Sequence, residues 1–375
     1  MVTDSAVPFR IDLGGDPGMD AIALARRAAE AEAEGYDGVG ASETRHDPFL
    51  SLALAARETS RVELLSTIAV AFARSPMTVA QTAHDLQAIS GGRFLLGLGS
   101  QVKPHIERRF SMPWSRPAAR MAEFVQAVRA IWATWQTGEP LRFEGEFYRH
   151  TLMTPFFSPG PLAGGPPPVW IAAVGALMTE TAGRVGDGLH AHSFTTATYL
   201  TEVSLPALRR GAVAAGRDPA EVGVALPALI AMGDDRAALD TAIRATRSQI
   251  AFYGSTPAYL PVLEAHGWGG LHEQLHAASR RGDWAGMADL VSDDVLAAFA
   301  AVGSAAEVAA ALRSRFTGLV TRLFLQRELS HRPGDGRRPP AGPPHPLTFF
   351  AHASCRRSSP AAARSVSKVS CLGNP

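Results

Sequence analysis

An α/β fold, the (β/α)8 TIM-type barrel with insertions and a disordered C-terminal tail, is what this sequence predicts. Three observations lead there. Short apolar runs alternate with helical patterns, which is how parallel strands joined by crossover helices read. Those runs are continuously apolar rather than alternating, as in strands covered on both faces. They number roughly eight, the count that closes a barrel. An open doubly wound sheet would normally carry a glycine-rich phosphate fingerprint after its first strand. The stretch "IDLGGDPGMD" has glycines there but no GxGxxG.

Phe9 to Leu13 supplies the first strand, and Asp20 to Glu34 an alanine-rich helix stopped by Gly35. Asp37 to Ala41 is the second strand, followed by a helix from about Pro48 to Thr59, and Val62 to Val70 the third. Ser75-Pro76 then opens a helix with a cap and a first-turn proline. Val79, Ala83, Leu86 and Ile89 form its apolar stripe, and Gly91-Gly92 ends it. Phe94 to Leu98 is the fourth strand; the later ones are Val169 to Ala172, Gly188 to His192, Val222 to Met232 and Leu319 to Leu325.

Two segments interrupt this rhythm. Residues from about 101 to 168 hold a helix (Pro117 to Trp135), a hairpin around "LRFEGEFYRH" and the loop "FFSPGPLAGGPPP". Residues from about 254 to 301 read as helical and rich in Trp, His and Asp. Barrel enzymes use such insertions to cover the mouth where strands end. The barrel domain spans 1–326. The Arg/Pro/Ser-rich stretch 327–375 lacks amphipathic period and is expected to be disordered, a dispensable extension such as a shifted reading frame leaves. It begins where a last barrel helix is expected.

The 375 residues are 46% hydrophobic and 19% charged, with a net charge of +1, an ordinary globular composition that argues against a dedicated nucleic-acid binder. No apolar stretch is long enough to span a bilayer and no secretory leader is visible, so a cytoplasmic protein is expected. Both cysteines, Cys355 and Cys371, lie in the tail, leaving the barrel without a disulfide framework or a thiolate nucleophile.

Chemistry in a parallel barrel gathers at the strand exits. "SETRH" follows the second strand, "AFARSP" the third, "GSQVKPH" the fourth, "AAVGA" the fifth and "HAHSF" the sixth, with Gln326 after the last. Glu43 and His46 are titratable groups at one exit, beside Ser42 and Thr44, and suit acid–base work. The competing reading is that Ser42, Thr44 and Asp47 cap the next helix. Gly175 opens a helix just past a strand, where free N–H groups suit a phosphate or carboxylate, unless this is a plain strand–helix turn. His190 and His192 share a strand face without a third ligand at metal-site spacing, so they read as core or pocket histidines and no metal is expected. No HExxH, Walker loop or GxSxG elbow appears. Phe94 to Leu98 runs between glycine pairs, and Gly97 and Gly99 are read as leaving a flat ring room against the strand's end.

Four stretches, "GYDGVGASE", "RSPMTVAQTAHDLQAISGGRFLLGLGSQ", "PPPVWIAAVGALMTETAGRVGDGLHAH" and "VGSAAEVAAALRSRF", resemble, in order, the landmarks of the luciferase-like flavin and deazaflavin oxidoreductases. The resemblance covers about Phe9 to Gln326 and is strongest to the actinobacterial coenzyme F420-dependent branch. It implies an oxidoreductase moving a hydride between C5 of F420 and a small organic substrate, and it suggests a homodimer. An FMN-dependent luciferase-like monooxygenase and a non-catalytic flavin-binding protein are the alternatives. It further implies a ring held against a non-proline cis peptide late in the third strand, which counting back from Pro76 places near Thr67-Ile68. Gly99, Ser100 and Gln101 would border the ring or its ribityl chain, and Ala173, Val174 and Gly175 would hold the phosphate through backbone N–H groups. Where many relatives have an acid and then a histidine, this chain has Glu43-Thr44, with a histidine only at His46. The implied catalytic set is therefore Glu43, Thr44 and His46, and Thr44 cannot shuttle a proton as an imidazole does. Arg45, Arg74, Lys103 and Arg184 are candidates for the anionic tail of F420. The aromatics Phe110, Trp114, Phe156, Phe157, Tyr253, Tyr259 and Trp268 suggest a hydrophobic or aromatic substrate, or loop packing.

Overall fold

A computed structural model describes residues 9–16 and 18–325. Eight parallel strands form the barrel: β1 (Arg10–Leu13), β2 (Gly38–Ala41), β3 (Glu63–Ser66), β4 (Phe94–Gly99), β5 (Val169–Ala173), β6 (Gly188–Ala191), β7 (Gly223–Met232) and β8 (Arg322–Leu325). Each pairs with its neighbours in chain order, and β8 closes the ring on β1 from Arg10↔Arg322 to Leu13↔Leu325. The barrel class read from the sequence is the one observed. Gln326 and the tail lie outside the described residues.

The crossover helices begin and end for local reasons. Asp20, Asp47 and Ser75 cap the helices Ala21–Ala33, Pro48–Glu58 and Pro76–Ile89, each accepting a first-turn N–H. Gly91 and Gly92 follow the third of these at φ +64° and +89°, where a side chain is disfavoured.

Along each strand, alternate residues point into the barrel, and size matching fills it. Trp170 of β5 lies in the space left by Gly188 of β6 and Gly223 of β7, where an added Cβ would lie 2.3 and 2.6 Å from its ring. Leu65, Leu95, Ala225 and Phe324 join Trp170 in that inner layer. The floor is ionic. Arg322 makes a bidentate contact with Asp12 (2.6 and 2.8 Å), and its remaining nitrogen reaches Glu63, which also pairs with Arg10. Gly38 is small because a Cβ there would lie 2.6 Å from the Asp12 carboxylate.

Two expectations need correction. Val62 to Val70 is not one strand: β3 stops at Ser66 and pairing with β4 resumes at Ala69–Val70. Between the pairs Leu65↔Leu95 and Ala69↔Leu98 this side advances one residue further than β4, which is a bulge. The insertion before residue 301 is not wholly helical either. It returns as a strand, Ala300–Gly303, that pairs with the outer half of β7 from Leu229↔Ala300 to Met232↔Gly303. Between these points, helices including Arg236–Gly254 and Gly269–Arg281 pack a second apolar cluster with Phe194, Tyr199 and Leu229. We refer to this unit as the cover.

Because Asp12 is fully buried and bonded to Arg322, Arg322→Met leaves a carboxylate uncompensated; urea unfolding is expected to show a loss of about 3–5 kcal/mol.

Candidate active site

The bulge after β3 organises the mouth. Ser66 sends its hydroxyl to the carbonyl of Gly97 and receives the Gly97 N–H, both at 2.9 Å, so one side chain replaces the interrupted ladder. The following peptide, Thr67-Ile68, is cis, at the position the resemblance implied. Ser42, at the end of β2, donates to the Thr67 carbonyl at 2.8 Å. Glu43 accepts from the Val70 N–H at 2.7 Å and from Arg74 at 2.6 Å, while Arg74 also binds Asp47 at 2.7 Å.

This arrangement revises the reason for the glycines of β4. A Cβ on Gly97 would lie 1.9 Å from the Ser66 carbonyl oxygen, and one on Gly99 would lie 2.6 Å from Cδ1 of Ile68. Their immediate protein neighbours are the bulge backbone and the Ile68 side chain. Glu43 serves the architecture of the mouth. Its side chain, 7% exposed, holds the bulge through Oε2. Arg74 is engaged by two carboxylates. Thr44 and His46 are exposed and line a shallow cleft with Gly15, Asp16 and Met19, and the Thr44 carbonyl accepts from Arg109 at 2.5 Å.

Ser100 and Gln101 follow β4 directly, with Gln101 at φ +59° and its side-chain oxygen accepting from the Val102 N–H. Gly99 and Ala172 are neighbours, a Cβ on the former lying 3.5 Å from Ala172 Cβ, so the exits of β4 and β5 adjoin. Ala173 ends β5, Val174 follows, and Gly175 is the N-terminal residue of helix Ala176–Val185, which has no side-chain cap. A Cβ on Gly175 meets nothing within 4 Å. Tyr199 donates to the Val174 carbonyl at 3.3 Å and so ties the cover to this turn. Arg184 sits in the last turn of the same helix, away from the mouth, and does not join the site. Arg45 in the loop after β2, and Lys103, Arg108 and Arg109 in and just after the short helix Lys103–Arg108 beyond β4, form an exposed rim rich in cations, with Lys103 3.8 Å from Glu107.

The matching family model, described as luciferase-like monooxygenase, covers residues 2–322. The chain belongs to the luciferase-like monooxygenase family. It is thereby an oxidoreductase of that superfamily. An uncharacterized protein of Mycobacterium tuberculosis is 55% identical over 302 residues, 80% of this chain and 89% of that one. The 5,10-methylenetetrahydromethanopterin reductase of Archaeoglobus fulgidus is 28% identical over 287 residues, 74% and 81% of the two chains. Among solved structures, the coenzyme F420 dependent tetrahydromethanopterin reductase from Methanopyrus kandleri superposes with a TM-score of 0.70 at 24% identity, covering 86% of this chain and 93% of that one.

Within this luciferase-like barrel, two histidines lie at the end of β6, His190 in the strand and His192 just beyond it. His190 is buried and stacks on Phe324 with ring centroids 5.3 Å apart. Its Nδ1 faces the Ala191 carbonyl at 3.3 Å, and its Nε2 is buried without a partner. His192 accepts the Phe194 N–H on Nδ1 at 3.0 Å and meets the Tyr259 hydroxyl with Nε2 at 3.1 Å. Burial pushes both imidazoles down to about 4, so both are neutral at pH 7. Among the described residues, no three His, Cys, Asp or Glu gather as a metal site. The sequence missed the Ser66–Gly97 bridge and the Glu43–Arg74 clamp, and no local motif signals either one.

Gly97→Ala is expected to cost about 3 kcal/mol in denaturant unfolding, because the added methyl meets the Ser66 carbonyl. The histidines predict a pH dependence. Their folded pKa lies below the ordinary 6.5, so their contribution is complete above about pH 6.5 and lost as pH falls toward 4. Stability measured by urea at stepped pH should decline through that window, and His190→Phe should flatten the decline.

Proposed function

We propose that this chain is an F420-dependent oxidoreductase that transfers a hydride between C5 of the deazaflavin and a small organic substrate. The observation that carries this reading is the open helix start at Gly175, beside the exit of β4 and the bulge. Its uncapped N–H groups and the empty space over its Cα suit a phosphate, and the unpartnered Nε2 of His190 suits a polar ring edge deeper in the barrel. The F420-dependent glucose-6-phosphate dehydrogenase of Nakamurella multipartita, 33% identical to this chain over 226 residues, supports the cofactor class. The exposed rim of Arg45, Lys103, Arg108 and Arg109 favours F420 over FMN, because F420 adds an anionic tail beyond its phosphate.

The cofactor supplies the hydride chemistry when bound. The residues of this chain bind and orient: Ala173, Val174 and Gly175 receive the phosphate on backbone N–H groups, and Ser100 and Gln101 border the chain that leads to it. Thr67 and Ile68 present the bulge as a backing for the ring. Glu43 keeps that backing in place, and His46 and Thr44 lie on the rim beside it. The cover excludes water from the mouth.

An absorbance titration with F420 and with FMN tests the reading: F420 should saturate the protein and FMN should bind at least roughly ten-fold more weakly. The reverse order would establish the FMN-dependent monooxygenase reading instead. Gly175→Asp should weaken F420 binding by roughly ten-fold or more without unfolding the protein, since the new carboxylate meets open space and repels the phosphate.

A further inference from the structure

Charged side chains are not spread evenly over the segments that carry the strand exits. The rim after β2 and β4 carries exposed arginines and a lysine. Around the β6 exit the chain carries neither: residues 192–208 and 248–279 contain no lysine or arginine, and the arginines of the cover's two long helices, Arg236, Arg244, Arg247, Arg280 and Arg281, lie outside these stretches. What this side offers is aromatic. His192 lies 4.7 Å from both Tyr253 and Tyr259, measured between ring centroids, edge-on to the first and tilted on the second. Phe194 packs behind, 5.4 Å from Tyr259 and stacked on Phe299 at 4.5 Å.

The polar groups within this wall have defined roles. Nδ1 of His192 accepts the Phe194 N–H, so the imidazole proton sits on Nε2 and is donated to Tyr259 Oη at 3.1 Å. The Tyr259 hydroxyl, with its lone pair so engaged, keeps its own hydrogen for another acceptor, and none is present within bonding distance among the described residues. Burial holds the phenol protonated, pushing it up to about 12. His192 and Tyr259 are only partly buried, and Tyr199 links the same cluster to the phosphate-binding turn at Val174.

We infer that the substrate side of the mouth is the His192–Tyr253–Tyr259 wall, and that it selects an uncharged, planar compound presenting one hydroxyl or carbonyl oxygen to Tyr259. A phosphorylated or carboxylated substrate would meet no lysine or arginine from these stretches and would pay the cost of desolvating its charge. A flat neutral ring gains edge and face contacts from three aromatic side chains, and its oxygen accepts the one directed proton. Tyr259 thus sets specificity by contact, and His192 positions it. This inference rests on the oxidoreductase reading above for calling the ligand a substrate.

The test is isothermal titration of the full chain with phenol and with phenyl phosphate, each in the presence and absence of saturating F420. Phenol should bind at least ten-fold more tightly than phenyl phosphate. Tyr259→Phe should weaken phenol roughly five-fold while leaving the thermal midpoint and F420 binding unchanged. His192→Phe should weaken phenol as well. Histidine nitrogen resonances should show His192 with a bare Nδ1 that shifts on phenol addition. Equal or tighter binding of phenyl phosphate with F420 present, no binding of phenol, or a Tyr259→Phe protein that binds phenol as the parent does would each overturn the inference. If F420 itself fails to bind, the cofactor reading falls, and the phenol comparison on the F420-free protein still judges the wall.

Discussion

One hydroxyl carries an unusual share of this architecture. Ser66 stands where the third strand leaves its ladder, and it satisfies both the donor and the acceptor of Gly97. Buried backbone groups must be paired, so without that side chain the departure of Thr67 and Ile68 would leave two polar groups stranded in the barrel wall. The departure also demands a residue without a side chain opposite, which Gly97 provides, and Ile68 then covers Gly99. Ser42 and the Glu43–Arg74–Asp47 chain hold the far side of the same bulge. The exits of the second, third and fourth strands are therefore one mechanical unit.

Much of the fold was legible in the sequence because its determinants are local. Ser75-Pro76 starts a helix through groups within one turn, and Gly91-Gly92 ends it through their own φ angles. Apolar runs mark strands wherever both faces are covered. The bulge was not legible as a pattern, because Val62 to Val70 is uniformly apolar enough to read as one strand. The break is enforced by partners 31 residues away, Gly97 for Ser66 and Arg74 for Glu43. The floor shows the same limit more strongly: Arg322 and Asp12 are 310 residues apart, and neither lies in a motif.

The candidate site divides in the same way. Gly175 could be placed because a glycine after an apolar run and before a helical one has few roles. The bonds of Glu43 could not be read, since nothing in a carboxylate followed by a threonine announces the Arg74 guanidinium and the Val70 N–H that it holds. Arg74 and Arg184 were equivalent as residue types. Packing separates them, one into the clamp and the other to the far end of a helix. Tyr259 and His192 became a pair only when the cover folded back on the β6 exit.

β7 is ten residues long and serves two structures at once. Its first half completes the barrel against β6 and β8, and its second half projects beyond the ring to pair with Ala300–Gly303. The whole cover thus departs from and returns to neighbouring backbone on a single stalk, with its own apolar cluster inside. Such an attachment is modular: because the cover leaves and rejoins the barrel beside one strand and packs its own interior, its length and composition can vary without disturbing the pairing of the ring below.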